Sequence, residues 1–208
     1  MLCYLYILPI QAEILPERVT PNKTEKYKLY FEQEIKNLTT LLKEQNYANS
    51  LVSLTKIENK IRTQQNNIIA SFFPTNFNNM KIANQKSFNN SDFGPINHGI
   101  VFSQRYTDKQ GRYLEINIIN DPHSIKDYED LLSNPSLVAS LKNTEIIKNN
   151  EHTSLQTANI NNKHFEQNII LKSNLLLTLI EIGFTQETLF TSFIAESKIS
   201  DLEEYFLK

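Results

Sequence analysis

The strongest constraint on this chain is a change in the spacing of its apolar residues. Between Thr24 and Phe73 they recur every three or four positions, which is the period of an amphipathic helix. From Gly99 onward they alternate with polar residues, as in a strand that has one wet face. We therefore predict an α+β protein in which an N-terminal antiparallel helical hairpin precedes an antiparallel β-sheet covered by helices.

Two apolar stripes define the hairpin. The first contains Phe31, Ile35, Leu38 and Leu42, and the second contains Leu51, Leu54, Ile57, Ile61, Ile68 and Phe72. The stripes lose phase between Glu44 and Tyr47, where polar residues favour a turn. We predict helices over 24–44 and 47–72, and we expect Pro74 to end the second because its ring cannot continue a helix.

The turn at Gln45–Ala48 and the Leu-rich helix after it are similar to one tetratricopeptide hairpin. Those repeats recur about every 34 residues, and the sequence contains no second copy. A peptide-binding repeat array is therefore not supported. A lone hairpin more often serves as an accessory element or a dimerisation arm.

Residues 74–98 are rich in Asn, with Ser, Gly and Pro among them, and they show no apolar period. We interpret 74–98 as a linker between the hairpin, residues 13–73, and an α+β sandwich domain, residues 99–208. In that domain, alternation over 100–106 and 113–118 around a turn at Asp108–Gly111 predicts a β-hairpin.

Further elements follow the Asp121-Pro122 break. Ser124 with Asp127 resembles a capping box, and Asn134-Pro135 predicts a second helix start. We expect strands near four segments: Thr144–Lys148, Thr153–Ile160, Phe165–Lys172 and Leu175–Ile182. Two C-terminal helices are then expected, capped by Thr185 and by Ser200 with Glu203.

This order of elements is similar to the PsbP-like sandwich, a fold of small exported or organellar proteins. The chain also resembles small uncharacterised exported bacterial proteins that place a helical pair before such a sheet. The corresponding landmarks are Arg105-Tyr106-Thr107, Asn134-Pro135 and the apolar strand that ends at Gly183. The resemblance implies an accessory or assembly role without catalysis, although a fold does not fix a function.

The N-terminus predicts export. Residues 1–10 are apolar and uncharged, and Gln11 and the small residue Ala12 follow before Glu13, which resembles the back half of a signal peptide. Because no basic segment precedes it, we expect a truncated remnant; the alternative is a buried first strand over Tyr4–Leu8. Cys3, the single cysteine, lies within this segment, so a mature chain from Glu13 would hold no disulfide and no Cys nucleophile. We expect a periplasmic or secreted protein without a stable membrane span.

Few residues point to a catalytic, metal-binding or nucleic-acid-binding site. The four histidines, His98, His123, His152 and His164, lack the spacing of a local zinc site, and the four glycines fit no phosphate-binding motif. The formal charge is −2, and Lys56, Lys60 and Arg62 form only a mild basic stripe, so no nucleic-acid partner is expected. We predict no catalytic residue, no cofactor and no metal.

Three functional hypotheses remain. The first is a non-enzymatic exported accessory or protein-interaction module whose partner is another envelope or secreted protein. The second is a small-ligand-binding protein with a pocket between sheet and helices, lined by Phe102, Tyr106, Leu114 and Phe193. The third is a hydrolase, which would need side chains such as Asp121, His123 and Ser124 to meet in one cleft.

Overall fold

A computed structural model of the chain describes residues 21–83, 101–148, 152–172, 174–185 and 189–207. The expected signal-peptide remnant and His98 lie outside these residues, as does the part of the expected linker from residue 84 onward. The chain divides into two compact units, Met1–Thr63 and Gln64–Lys208.

The first unit contains the helical hairpin. Helix α1 spans Pro21–Lys43, and α2 spans Tyr47–Ala70 and continues into the second unit. Gln45 takes a positive φ of 56° in the turn, and the Asn46 side chain accepts a hydrogen bond from the Asn49 N–H at 3.3 Å. The two helices predicted from the apolar stripes are confirmed, because a short polar turn and an N-cap separate them as expected.

The second unit contains one antiparallel sheet of eight strands in the order β1-β2-β3-β4-β8-β7-β6-β5. The strands are β1 Asn76–Phe77, β2 Met80–Ile82, β3 Val101–Thr107, β4 Tyr113–Ile119, β5 Thr144–Lys148, β6 Thr153–Asn159, β7 His164–Leu171 and β8 Leu175–Ile182. The mixed α+β architecture expected from the sequence is therefore confirmed, and the strands predicted over 100–182 are found within one or two residues of their expected ends.

Helices cover both faces of this sheet. Helices α3 (Pro122–Leu132) and α4 (Pro135–Ser140) follow β4, and α5 (Phe190–Glu196) and α6 (Ile199–Leu207) follow β8. Paired residues of antiparallel strands point to the same side, so the register assigns each residue to a face. The core face includes Phe102, Leu114, Leu177 and Phe165, and it packs against α5, α6 and the end of α2. The opposite face, here called the polar face, lies under α3.

The segment 76–82 corrects the expected linker. It forms the β1–β2 hairpin, and β2 pairs with β3 through Lys81 and Ile82. Asn78 and Asn79 form its turn at φ values of 45° and 62°, a conformation that Asn tolerates better than most residues. Phe77 and Met80, on either side, are buried. Two apolar residues flanking an Asn pair were too few to show a period.

Three predicted helix starts also need correction. Asp121 caps α3, because its carboxylate accepts the Ser124 N–H at 2.9 Å, which leaves Ser124 inside the helix. Helix α5 begins at Phe190, after Leu189 rather than after Thr185, and no side chain caps it. Helix α6 begins at Ile199, so Ser200 is not its cap. The start at Asn134 is confirmed, since its side chain accepts the Leu137 N–H.

Candidate functional site

The pocket expected between sheet and helices is filled. Phe102, Tyr106, Leu114 and Phe193 each expose 2% or less of their surface. The Phe193 ring lies 5.6 Å from Tyr106 and 5.9 Å from Phe73, measured between centroids. The Tyr106 hydroxyl donates to the Pro74 carbonyl at 2.6 Å, which satisfies its polar end inside the core. These residues form a hydrophobic core, so the expectation that they line a pocket is wrong.

A groove opens instead on the polar face, beneath α3, and Leu141, the residue after α4, lies at its edge. It has a volume of about 350 Å³. Its apolar residues are Leu131, Leu141 and Leu155; its carboxylates are Asp127 and Glu166; and its other polar residues are Ser124, Tyr128, Thr144, Thr157 and Asn168. None of these described lining residues is Lys, Arg or His, so the groove is acidic.

The Glu166 carboxylate is held in place by a short chain of hydrogen bonds. The Thr178 hydroxyl donates to Asn168 Oδ1 at 2.7 Å, and Asn168 Nδ2 donates to Glu166 Oε1 at 2.7 Å. Glu166 Oε2 lies 3.9 Å from His164 Nε2, which is too far for a hydrogen bond. One carboxylate oxygen is therefore fixed, while the other has no hydrogen-bond donor among the described residues.

Tyr128 lies beside this carboxylate. Burial raises the pKa of its hydroxyl, and the negative charge of Glu166 raises that pKa further. The hydroxyl makes no hydrogen bond within the described part of the chain. It therefore stays protonated and can donate to or accept from a bound group.

On strands β3 and β4, outside the groove, the charged side chains of the polar face are paired with each other. Arg105 donates through Nε to Glu115 Oε2 at 2.8 Å, and Asn117 Nδ2 donates to Glu115 Oε1 at 3.1 Å. The Arg105 guanidinium also lies 4.2 Å from the Tyr113 ring centroid. This part of strands β3 and β4 has its charges already paired, which makes the groove the better candidate for a ligand.

A larger hollow of about 840 Å³ lies between the β1–β2 and β3–β4 turns. Its only carboxylate among the described lining residues is that of Asp108. That group already accepts from the Gln110 N–H at 2.7 Å and from Arg112 Nε at 2.7 Å. The hollow is a space between two surface turns, and its acidic group is used to hold one of them.

The three residues of the hydrolase hypothesis lie at the start of α3, where Asp121 and Ser124 form the helix cap. Ser124 Oγ donates to Asp121 Oδ2 at 2.6 Å, and this bond and that of the Ser124 N–H lower the pKa of Asp121. His123 is exposed, and among the described residues no hydrogen bond joins it to Ser124. A nucleophile needs its base within reach, whereas this hydroxyl is directed at a capping carboxylate. The described residues also contain no group of three or more metal-binding side chains.

Two buried glutamates were not anticipated. Glu203 exposes 3% of its surface, and its Oε1 accepts the Lys172 N–H at 2.9 Å. The His152 Nδ1 lies 3.8 Å from the same oxygen, and Lys172 Nζ lies 3.5 Å from Oε2. The sequence pairs Glu203 with Ser200 in a helix cap, but its carboxylate instead accepts the backbone N–H of the residue that follows β7.

Glu181 is fully buried on the core face of β8. Its Oε1 accepts a hydrogen bond from the Leu189 N–H, and its Oε2 has no hydrogen-bond partner within the described residues. Burial raises the pKa of this carboxyl to about 7, although the Leu189 N–H opposes the shift. The residue holds the start of α5 against the sheet and lies away from the groove, on the other face.

The first unit carries an apolar surface on its two helices, here called the hairpin face. It consists of Ile35 and Leu42 on α1 and of Tyr47, Leu51, Leu54 and Ile61 on α2. Each of these side chains exposes between 46% and 64% of its surface. Scattered exposed apolar residues are ordinary on a protein surface, but a contiguous set marks an interaction site.

Helix geometry makes this set contiguous. The seam between the helices contains the buried residues Ser50 and Ser53 on α2 and half-buried residues such as Phe31 and Leu38 on α1. At about 100° per residue, Ile35 and Leu42 on α1 lie about 30–50° from this seam. On α2, Leu54 and Ile61 lie about 50–70° from it and Tyr47 and Leu51 about 90–130°, in the same rotational sense. Because the helices are antiparallel, offsets in one sense place both sets on the same side of the hairpin.

The opposite side of the hairpin is polar and aromatic. Lys60 Nζ lies 4.9 Å from the Tyr27 ring centroid and 5.6 Å from that of Tyr30. Arg62 forms an ion pair with Glu58 at 2.9 Å, along the edge of the hairpin face. Two of the three residues of the expected basic stripe thus have partners within the hairpin.

None of the described helices is both long enough and apolar enough to cross a bilayer.

Comparison with protein-family models, with curated proteins and with solved structures finds no match for the chain.

Proposed function

We propose that this protein is a non-enzymatic protein-interaction module and that its hairpin face binds a second copy of the chain. The observation that carries the proposal is the contiguous apolar surface on one side of α1 and α2, whose six side chains are each about half exposed or more. An apolar face that both helices share is best covered by two further helices, which gives a four-helix arrangement.

The size of the face sets the strength of this interaction. From Tyr47 to Ile61 a helix extends about 21 Å, and two helices packed 8–10 Å apart present a width of about 20 Å. The face therefore covers on the order of 400 Å² in each copy, which falls within the range of functional patches on single proteins but below the standard interface of about 800 Å² per partner. We expect a dimer with a dissociation constant in the micromolar range.

The edges of the face favour a second copy over a strongly charged partner. One edge carries Lys28 and Glu32, whose charged atoms are 4.0 Å apart, and the other carries the Glu58–Arg62 pair. Each edge therefore holds both signs of charge. In a two-fold dimer the same patch meets itself, and a mixed edge can meet its own copy without net repulsion.

Sedimentation equilibrium of the full chain tests this proposal, with two matched variants. Leu54 lies on the hairpin face and exposes 46% of its surface; Leu29 lies on α1 away from the face and exposes 66%. Leu54→Gln removes roughly 1 kcal/mol of apolar burial from each copy, so we expect its dimer to dissociate about 30-fold more readily. Leu29→Gln should leave the equilibrium unchanged. A monomer at millimolar concentration, or equal effects of the two variants, would contradict the proposal.

An exported location and a PsbP-like arrangement belong to the same proposal. The first is supported by the apolar N-terminal sequence, and the second by a sheet with α3 and α4 on one face and α5 and α6 on the other. Mass spectrometry of the native protein tests the location. A mature chain that begins near Glu13 supports export, and a chain that retains residues 1–12 inside the cell opposes it.

Small-ligand binding is a second candidate function, and the groove under α3 is the observation that favours it. Its volume of about 350 Å³ falls at the small end of the range for ligand sites, and polar and apolar groups both line it. Binding there does not depend on the hairpin face, because the groove is formed entirely within the second unit.

A further inference from the structure

We propose that the groove under α3 binds an alkylammonium group, that is, a protonated primary amine attached to an apolar chain. This inference rests on the second candidate function and adds the chemical class of the ligand. It uses two features of the groove together: a carboxylate fixed in direction, and an apolar wall beside it.

The charge of the groove selects a cation. Asp127 and Glu166 both line it, and the described lining residues include no Lys, Arg or His. His164 lies outside the lining, with its Nε2 3.9 Å from Glu166 Oε2, and it makes no hydrogen bond to that carboxylate. An ammonium is attracted by the charge of both carboxylates in addition to any hydrogen bond it donates to them. An alcohol of the same shape gains only a hydrogen bond, and a carboxylate is repelled.

The hydrogen bonds at Glu166 show where an ammonium would lie. Asn168 holds Oε1 at 2.7 Å, and Oε2 has no donor among the described residues. Tyr128 and Glu166 both line the groove, so the Tyr128 hydroxyl and Oε2 offer two acceptors to an ammonium, which brings three donors. Because Thr178 and Asn168 fix the carboxylate before binding, little side-chain freedom is lost when the amine arrives.

The apolar wall selects the rest of the ligand. Leu131 on α3 and Leu155 on β6 line the groove, and Leu155 is 5% exposed. A short alkyl chain attached to the amine would cover these side chains. The ammonium could belong to a free alkylamine or to a lysine side chain of a peptide, since both have the same terminal chemistry.

An NMR titration of the full chain with hexylamine, hexanol and hexanoate tests the proposal. We expect hexylamine to bind with a dissociation constant on the order of a millimolar and to shift the signals of Tyr128, Leu155 and Asn168. Hexanol should bind about tenfold more weakly, and hexanoate should not bind. The peptide acetyl-Ala-Leu-Lys-Leu-Ala-amide distinguishes the sources: tighter binding than hexylamine assigns the site to a lysine side chain, and weaker binding assigns it to a free amine.

Two variants and a control connect the binding to the groove. Glu166→Gln should weaken hexylamine about tenfold, as should Asp127→Asn, an exposed position that keeps the test open if Glu166→Gln fails to fold. Glu145→Gln, an exposed glutamate on β5 outside the groove, should have no effect. Equal binding of hexylamine and hexanol would overturn the amine class while leaving a ligand site. No binding of any of the probes would overturn the site and the second candidate function together.

Discussion

At the scale of single residues, the two buried glutamates are stabilised in different ways. Glu203 accepts a backbone N–H and lies near a lysine and a histidine, so its carboxylate has partners. Glu181 has one hydrogen bond and an apolar environment that favours its protonated form. The two residues should therefore respond in opposite directions when their charge is removed.

Glu181 should make the fold less stable at high pH. Its pKa is raised from 4.5 to about 7, so the folded state holds the proton more tightly than the unfolded state does. Its contribution to stability is therefore lost as pH rises from about 4.5 to about 7, and the loss is complete above that range. Glu181→Gln keeps an oxygen for the Leu189 N–H and stays neutral. We expect it to be more stable than the wild type at pH 8.5 by on the order of 2 kcal/mol, and equal to it near pH 4.5.

Urea unfolding at several pH values measures this difference. Glu145→Gln, at an exposed position, makes the same chemical change and should leave the pH dependence unaltered. A Glu181→Gln protein that loses stability with rising pH as steeply as the wild type would show that the buried carboxyl is not the group responsible.

Glu203 should behave in the opposite way. Glu203→Ala leaves the Lys172 N–H without its acceptor and removes the carboxylate that lies 3.8 Å from His152 Nδ1. We expect a loss of about 1–3 kcal/mol in the free energy of unfolding. Its neighbour Glu204 is exposed, so Glu204→Ala should stay within about 0.5 kcal/mol of the wild type. Thermal unfolding of the two variants is the measurement, and similar midpoints for both would refute a structural role for Glu203.

The sequence could not separate these residues. Glu203 and Glu204 are adjacent on one helix, and local patterns assign both to a wet face. Which of them is buried depends on where the end of β7 lies, a contact 31 residues away along the chain. Glu166 was missed for a similar reason, since the groove appears only when β5 to β7 lie beside α3.

At the scale of elements, the apolar period was a good guide wherever a segment was long enough to display it. Strands β5 to β8 and helices α1 and α2 each repeat their apolar pattern several times, and the sequence predicts their positions. The β1–β2 hairpin has only five strand residues in all, and the sequence did not predict it. Helix starts were also less reliable, because Asp121, Ser124 and Asp127 all offer capping side chains and only the fold selects one.

The β1–β2 turn gives a prediction at this scale. Asn79 has a φ of 62°, which suits Gly and Asn but is strained for a β-branched residue. We expect Asn79→Val to destabilise the fold by about 1–2 kcal/mol, and Asn79→Gly to be neutral or slightly stabilising. Denaturant midpoints of the two variants test this prediction. A Val variant as stable as the Gly variant would show that residue 79 does not have a positive φ in the folded protein.

At the scale of the whole molecule, pairing between strands that are distant in the sequence determines which side chains are neighbours on the surface of the sheet. Strand β4 pairs with β8 rather than with β5, because α3 and α4 carry the chain to the far edge of the sheet before it returns strand by strand. This order brings Glu115, Ile180, Glu166 and Thr157 into one row on the polar face. No local pattern specifies such a row, which explains why the class of fold could be predicted and the groove could not.

Isotope-filtered NOE spectroscopy can detect directly whether the hairpin face joins two copies of the chain. A sample that mixes ¹³C-labelled and unlabelled full-length protein, at a concentration where the dimer forms, reports only contacts between copies. We predict intermolecular NOEs from the methyl groups of Leu51, Leu54 and Ile61 and none from Leu29. Intermolecular NOEs that arise only outside the hairpin face, or a complete absence of them at millimolar concentration, would rule out a dimer formed through this face.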